Sequence, residues 1–225
     1  MHPLVATECC LYQEAPVIER HIQSLKLGEL IDYAIFIDGP FPGFPGPAES
    51  NDGTREIINS YDNTVLVTMP AEEYFKRELA CHTARNLGCN FILILDADEY
   101  LIRRNVQRFR SNLEGIVLSE TDRNIFGINY NFGAPDQFND RPRLWYKPWE
   151  VGYISGSHWR FKNRYHSKYY DSTIHVDRWD KVVEGVCIRQ GDEERTRYRE
   201  AVWKEYQEKV VIPFENRFYD DTEDR

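Results

Sequence analysis

Three acidic residues follow a fully apolar run near the middle of the chain. The run is Phe91-Ile92-Leu93-Ile94-Leu95, and Asp96, Asp98 and Glu99 lie within the next four positions. Five consecutive apolar residues predict a strand buried on both faces, as in an inner parallel sheet. Ligands of open α/β sheets bind just beyond the carboxyl ends of such strands. The pattern therefore predicts a functional site here, against the alternative of a strand that ends in a solvated acidic loop.

The chemistry expected of this site is the binding of a divalent cation. Side chains alternate along an extended chain, so Asp96 and Asp98 are expected to point the same way. Two converging carboxylates repel each other unless a positive charge lies between them. Oxygen ligands of this kind favour a hard cation, Mn²⁺ or Mg²⁺.

The elements that must position these acids alternate between strand and helix. Apolar runs predict strands at residues 4–12, 33–37, 64–68 and 91–95, and helical periodicity or capping signals predict helices at about 16–27, 55–60 and 70–87. Such alternation indicates parallel strands joined by right-handed crossovers. Between the second strand and the next helix lies a loop rich in proline and glycine, which predicts a lid or binding loop.

The pattern changes after Glu99. A helix is expected over residues 101–114, followed by short strands at about 125–130, 144–146, 152–154 and 172–176 and a charged helix at 192–210. The short strands are expected to extend the sheet in antiparallel or mixed fashion and to form the second wall of a cleft. The predicted fold class is therefore α/β, one domain with a central, mostly parallel mixed sheet flanked by helices.

Other polar residues fall at the expected strand ends. Glu14 follows the first strand, Asp38 the second, and His175 stands at the end of a late β run. Two carboxylates and one imidazole form a partial shell for Mn²⁺ or Mg²⁺, which a substrate diphosphate would complete.

Composition excludes several classes of protein. The net charge of −9 over 225 residues argues against nonspecific nucleic-acid binding, which requires a basic surface. The five cysteines show no CxxC spacing and predict reduced thiols in a cytoplasmic protein rather than a disulfide framework or zinc site. No apolar run is long enough for a transmembrane segment.

The residues resemble a known enzyme family. A strand, a helix and a strand ending in Asp38-Gly39 look like the nucleotide half of a GT-A fold glycosyltransferase. Ala84-Arg85-Asn86 before the Asp96-Ala97-Asp98 motif is similar to the Asp-x-Asp region of family 2-like enzymes, as are Pro142-Arg143-Leu144 and residues 152–158. The resemblance spans about residues 4–200. It implies one Rossmann-like glycosyltransferase domain over residues 1–215, with a nucleotide-binding half (about 1–100), an acceptor half (about 101–215) and an acidic tail (216–225).

The resemblance also implies roles for individual residues. Asp98 would bind Mn²⁺ or Mg²⁺ directly, Asp96 would contact the ribose or the metal, and His175 would be the late metal or diphosphate ligand. Asp38 would read the nucleotide base with Glu14 nearby. Three basic residues would reach the diphosphate of a UDP- or GDP-sugar, unless they are surface charges: Lys76, Arg77 and Arg85.

The implied reaction is transfer of a sugar to an acceptor hydroxyl on a glycan, lipid or protein, with inversion expected. The general base stays open among Glu150, His158 and Asp136. The chain departs from the family at Gln13-Glu14, where an Asn-Glu pair is usual, and at Ser157-His158-Trp159, where many relatives carry His-Glu.

Three other functions compete with this interpretation. A haloacid dehalogenase-type phosphatase or phosphotransferase also uses Asp-x-Asp, with the first Asp as nucleophile. A nucleotidyltransferase would need a glycine-rich basic loop after the first strand, where this chain has Gln13-Glu14-Ala15-Pro16. A non-catalytic carbohydrate-binding protein would use the aromatic residues that make up 14% of the chain.

Overall fold

Eight strands form a central sheet in the part of the chain that the structure describes. The structure, a computed structural model, describes residues 2–42, 46–101, 106–119, 125–131, 138–153, 161–163, 169–170 and 187–189. The expected strand at 172–176, the expected helix at 192–210 and the acidic tail lie outside these ranges.

The first half alternates strand and helix as predicted. Its elements are β1 (Val5–Leu11), α1 (Ala15–Leu25), β2 (Tyr33–Asp38), α2 (Thr54–Asn59), β3 (Thr64–Thr68), α3 (Glu73–Asn86) and β4 (Phe91–Ile94). Helix α3 begins three residues after Pro70, the expected start. The N–H of Met69 donates a 2.7 Å hydrogen bond to the carbonyl of Asp38, so the chain at this point still follows β2 before it turns into the helix.

The second half extends the same sheet and adds a smaller one. Its elements are β5 (Glu99–Leu101), α4 (Val106–Leu118), β6 (Ile125–Asn131), β7 (Phe138–Tyr146), a 3₁₀ helix (Pro148–Glu150), β8 (Val151–Tyr153), β9 (Phe161–Asn163), β10 (Tyr169–Tyr170) and β11 (Cys187–Arg189). The prediction of a helix from residue 101 is wrong at its start. Leu101 belongs instead to β5, which pairs antiparallel with β11 through Cys187.

The sheet order confirms the predicted fold class. It runs β3-β2-β1-β4-β7-β6-β11-β5, while β8, β9 and β10 form a separate antiparallel sheet. Strands β3, β2, β1 and β4 are all parallel, whereas β7 is antiparallel to both β4 and β6. The protein is thus a mixed α/β structure with a largely parallel central sheet.

Helices cover both faces of the parallel strands. Val5, Cys9 and Leu11 of β1 pack on one face with residues of α1, α2 and α4, while Ala6 and Cys10 pack on the other face with α3. Strand β4 divides in the same way, with Phe91 and Leu93 on the first face and Ile92 and Ile94 on the second. This confirms the prediction that the strand before the three acids is buried on both faces.

Candidate functional site

The carboxyl ends of β2, β1 and β4 lie side by side at one edge of the sheet. Strand β1 stands between the other two, and the chain moves outward from it in one direction to β2 and β3 and in the other to β4. This change of direction is a topological switch point, where open α/β sheets leave a crevice for ligands. Asp38 is the last residue of β2, and Glu14 and Asp96–Glu99 come after β1 and β4, so the fold brings together the strand ends that the sequence predicted.

The acidic segment after β4 is a tight turn. The N–H of Glu99 donates a 2.9 Å hydrogen bond to the carbonyl of Asp96, and the N–H of Asp96 donates one of 2.9 Å to Oε2 of Glu99. The chain therefore does not stay extended through Asp96 and Asp98. The premise that strand alternation aligns these two side chains is wrong, because β4 ends at Ile94.

The two aspartates differ in exposure. Asp98 is buried, with 6% of its surface exposed, whereas 31% of the Asp96 side chain is exposed. Asp96 therefore presents an oxygen-rich surface toward solvent at the edge of the sheet. Asp98 lies deeper in the same turn.

A buried arginine of α3 lies against Asp96. Nη2 of Arg77 is 3.2 Å from Oδ1 of Asp96 and 2.5 Å from Oε1 of Glu73, and Nη1 donates to Glu8. The side chain of Arg77 is only 3% exposed. Arg77 therefore contacts Asp96 from the protein interior and does not project into the crevice as a diphosphate ligand in this structure.

A second arginine approaches the turn from β7. Arg143 donates two hydrogen bonds of 3.1 Å to the carboxylate of Glu99, and its Nη2 lies 4.0 Å from Oδ2 of Asp96. Its Nη1 also lies 3.3 Å from the carbonyl of Ile94. The antiparallel strand next to β4 thus supplies the cation that balances Glu99.

Glu8 is the buried end of this charge network. It lies in the middle of β1, and burial raises its pKa even though the Arg77 guanidinium opposes that shift. Glu8, Glu73, Asp96 and Glu99 surround the guanidinium groups of Arg77 and Arg143. Among the described residues, carboxylates thus outnumber guanidiniums around the turn, and an excess of negative charge attracts cations.

Asp38 is fully buried and is bonded to neighbouring residues. It accepts hydrogen bonds from the Ser50 hydroxyl (2.6 Å) and the Ser50 N–H (3.0 Å), and Nη1 of Arg55 lies 2.8 Å from its Oδ2. Arg55 also bridges Glu49 at 3.3 Å. The sequence predicts that Asp38 reads a nucleotide base. In the structure its carboxylate binds Ser50 and Arg55 and so stabilises the loop that follows β2.

Residues 46–53 of that loop also bind the end of β1. The N–H of Gln13 donates a 2.7 Å hydrogen bond to the Ser50 hydroxyl, and the N–H of Glu14 donates one of 2.8 Å to the Thr54 hydroxyl. Asp52 accepts from the N–H of Ala15 in the first turn of α1 at 3.0 Å. Gln13 has a φ of 56°, a left-handed conformation that these contacts hold in place. The predicted binding loop thus lies against two strand ends.

The basic residues expected to reach a diphosphate lie in different environments. Lys76 is fully buried, its Nζ donates to the carbonyl of Gly39 and lies 4.0 Å from the centre of the Phe41 ring, and burial lowers its pKa to about 8. Arg85 is exposed, and its guanidinium lies 5.9 Å from the centre of the Trp149 ring. Of Lys76, Arg77 and Arg85, the structure exposes Arg85 alone.

Sequence reasoning missed Glu8, Ser50 and the partnership of Arg143 with Glu99. A charged residue in a mostly apolar strand was the available signal for Glu8. Nothing in the sequence marked Ser50 among the polar residues of its loop. Arg143 belongs to the segment Pro142-Arg143-Leu144, which resembles the glycosyltransferase family. Its contact with Glu99 could not be predicted, because that contact depends on β7 lying beside β4.

Several expected site residues lie outside the described residues. These are the late ligand His175 and two candidate bases, His158 and Asp136. The third candidate base, Glu150, is half-buried at the end of the 3₁₀ helix, where its N–H donates a 2.8 Å hydrogen bond to the carbonyl of Lys147.

The donor chemistry of the turn is compatible with a divalent cation. Its side chains offer oxygen ligands and an excess of negative charge, the environment that Mn²⁺ and Mg²⁺ prefer. Within the described ranges, no group of three or more His, Cys, Asp or Glu side chains forms a metal site. Of the three expected ligands, Asp96 and Asp98 belong to the described residues and His175 lies outside them.

One structural feature concerns membranes. In the part of the chain that the structure describes, every helix is too short or too polar to cross a bilayer.

Comparisons with known proteins return structural neighbours only. No protein-family model matches the chain, and no curated protein matches it. The S. aureus protein TarS shares 13% identity at a TM-score of 0.45, over 64% of this chain and 28% of TarS. Glucosyl-3-phosphoglycerate synthase from Mycobacterium tuberculosis, solved with Mn²⁺, UDP and glucosyl-3-phosphoglycerate, shares 19% identity at a TM-score of 0.38, over 58% of this chain and 45% of the synthase.

A third neighbour is the mannosyltransferase PcManGT from Pyrobaculum calidifontis, solved with GDP-Man and Mn²⁺. It shares 19% identity at a TM-score of 0.38, over 60% of this chain and 37% of the mannosyltransferase. The chain thus spans less than half the length of each of these three solved structures. At these identities and TM-scores the likeness carries no conclusion about activity.

Proposed function

We propose that this protein is a metal-dependent glycosyltransferase that moves a sugar from a nucleotide-diphosphate sugar to an acceptor hydroxyl. The observation that carries the proposal is the acidic turn Asp96–Glu99, which lies at the switch point between β1 and β4. The ligand crevice of an open α/β sheet lies at that place. The proposal also rests on the resemblance of residues 4–200 to family 2-like GT-A enzymes, and it treats residues 1–215 as one domain.

The donor would be a UDP- or GDP-sugar bound across the ends of β2, β1 and β4. Asp38 and Glu14 would form the nucleotide side of the crevice. Because Asp38 is buried against Ser50 and Arg55, it would act on the base through the loop 46–53 that it holds. Asp96, with its exposed carboxylate, would contact the ribose or the metal.

Asp98 would hold Mn²⁺ or Mg²⁺, together with Asp96 and His175. When bound, the cation would neutralise the negative charge that develops on the departing nucleoside diphosphate. Lys76 would fix the backbone at Gly39, next to the end of β2. Arg85 is not assigned to the diphosphate, because it lies in the last turn of α3, at the edge of the sheet where β4 begins.

The acceptor hydroxyl, on a glycan, lipid or protein, would lose its proton to a general base from the second half of the chain. His158 and Asp136 are the proposed candidates. The third residue considered, Glu150, follows β7 at the edge of the sheet where β4 begins, because Tyr146 pairs with Phe91, and so lies at the opposite edge from Asp96. A base opposite the leaving group would give inversion at the sugar carbon.

The test is hydrolysis and transfer with a panel of nucleotide sugars, with Mn²⁺, with Mg²⁺ and with EDTA. We expect turnover of a UDP- or GDP-sugar that EDTA abolishes and Mn²⁺ restores. Equal rates in EDTA would contradict metal dependence. Phosphatase turnover without any sugar nucleotide would favour the haloacid dehalogenase-type alternative, and metal-independent sugar binding without turnover would favour a binding protein.

A further inference from the structure

The Asp96 carboxylate lies between two guanidinium groups that come from different elements. Nη2 of Arg77, on α3, is 3.2 Å from Oδ1, and Nη2 of Arg143, on β7, is 4.0 Å from Oδ2. The two cations thus approach different oxygens of the same carboxylate. We call Arg77 and Arg143 the guanidinium clamp.

Each arginine of the clamp is fixed by carboxylates of its own. Arg77 is bonded to Glu8 and Glu73, and Arg143 makes a two-point contact with Glu99. Their side chains are 3% and 11% exposed, whereas Asp96 is 31% exposed. The clamp is therefore the rigid part of the arrangement, and the more exposed Asp96 is the part that it can orient.

We infer that Arg77 and Arg143 are positioning residues that hold the Asp96 carboxylate in the orientation needed for its ligand. This inference rests on the proposed function, in which Asp96 contacts the ribose or the cation. A site carboxylate that is already oriented loses less rotational freedom when it binds. The clamp acts through Asp96 and is not assigned a contact with substrate.

Charge and positioning predict different effects on cation affinity when an arginine and one of its carboxylate partners are removed together. If the guanidiniums act by charge alone, such a pair leaves the local net charge, and therefore the Mn²⁺ affinity, nearly unchanged. If they position Asp96, the same pair weakens Mn²⁺ binding. A weakened Mn²⁺ affinity in both pairs therefore indicates the positioning role.

The experiment uses paired substitutions that keep the net charge and leave no buried ion without its partner. The variants are Glu8→Gln with Arg77→Met, and Glu99→Gln with Arg143→Met. In the second pair, glutamine retains an oxygen acceptor for the Asp96 N–H. The matched control is Asp32→Asn with Arg110→Met, because Arg110 bonds Asp32 at 2.9 and 3.1 Å beside Val5, at the opposite end of β1.

Two measurements are made on each variant: crystal structures without metal, for the orientation of Asp96, and titration of Mn²⁺ by electron paramagnetic resonance. We expect Asp96 to take more than one orientation in both clamp variants, with Mn²⁺ affinity weakened about 10-fold, the size of effect typical for residues that orient metal ligands. The control is expected to match the wild type in both. Where a paired variant does not fold, the single variant Arg77→Lys or Arg143→Lys replaces it, and the same two measurements are made on that variant.

An unchanged Asp96 orientation in the clamp variants, or an unchanged or tightened Mn²⁺ affinity, overturns the inference. Failure of the proposed function gives a different result, because the wild-type protein would then bind no Mn²⁺ at all. In that case the crystal structures alone decide whether the clamp orients Asp96.

Discussion

The Ser50 hydroxyl donates a 2.6 Å hydrogen bond to Oδ1 of Asp38 and accepts one of 2.7 Å from the N–H of Gln13. One side chain thus joins the loop 46–53 to the ends of two adjacent strands. If the crevice binds a nucleotide, the contacts of Ser50 with Asp38 and Gln13 form the wall of the crevice on the β2 side.

Removing the Ser50 hydroxyl should make the loop 46–53 less firmly held and weaken binding of the nucleotide-sugar donor. Ser50→Ala removes both side-chain hydrogen bonds and leaves part of the buried Asp38 carboxylate without a donor, for an expected cost of about 1–3 kcal/mol in unfolding free energy. Urea denaturation measures that cost. We also expect the KM for the nucleotide sugar to rise more than kcat falls.

The control for Ser50→Ala is Ser60→Ala. Ser60 makes one exposed hydrogen bond of 2.7 Å to the carbonyl of Ile57. Its removal should change the unfolding free energy by about 0.5 kcal/mol or less. Equal effects of the two substitutions on KM would show that Ser50 has no special role.

Lys76 should make stability rise with pH in the alkaline range. Burial lowers its pKa from 10.5 to about 8, so the unfolded chain holds this proton more tightly than the folded protein does. The cost of burying the charged amine is present below about pH 8 and is relieved as pH rises from about 8 toward 10.5, with a gain on the order of 2–3 kcal/mol.

Urea unfolding of wild type and Lys76→Met at about pH 7 and about pH 10 tests this linkage. The unfolding free energy of the wild type should increase relative to that of Lys76→Met as the pH rises. Lys26→Met, a change at a surface lysine paired with Glu29, is the control that should keep the wild-type pH dependence. A parallel pH dependence for wild type and Lys76→Met would rule out this effect.

Removal of the Asp98 carboxylate should abolish metal-dependent turnover. Asp98→Asn keeps the size of the side chain and removes its charge, so we expect kcat/KM for the nucleotide sugar to fall about 100-fold or more, as expected when charge stabilisation is lost. Asp62→Asn, at an exposed turn, is the matched control. Full activity in Asp98→Asn, with intact Mn²⁺ activation, would remove Asp98 from the site.

Four cysteine thiols should resist alkylation in the folded protein. Cys9, Cys10, Cys81 and Cys89 are buried and take part in no disulfide, and burial raises the pKa of Cys89 to about 12 and that of Cys9 and Cys10 well above the ordinary value. Because the thiolate is the reactive form, iodoacetamide at about pH 8 should leave all four unlabelled. Mass spectrometry of native and urea-unfolded samples makes the comparison, and labelling of Cys9 in the native sample would contradict the described burial.

Hydrophobic patterning alone predicts most of the first half of the fold. The apolar runs that became β1 to β4 are short and continuous, and the helices between them show helical spacing, so strand and helix alternate recognisably. Since connections between parallel strands are right-handed and ligands bind at the carboxyl ends of strands, the sequence also indicates which edge of the sheet holds Glu14, Asp38 and Asp96–Glu99.

Tertiary structure decides which side chains meet at that edge. Glu8 is 69 positions from Arg77 and Glu99 is 44 from Arg143 in the chain, and each pair meets because α3 packs across β1 and β7 lies beside β4. The orientation of Asp96 and the burial of Asp38 follow from these long-range neighbours. The local sequence predicts β4 and the acidic residues that follow it. The charged side chains that surround those acidic residues depend on the order of strands in the sheet.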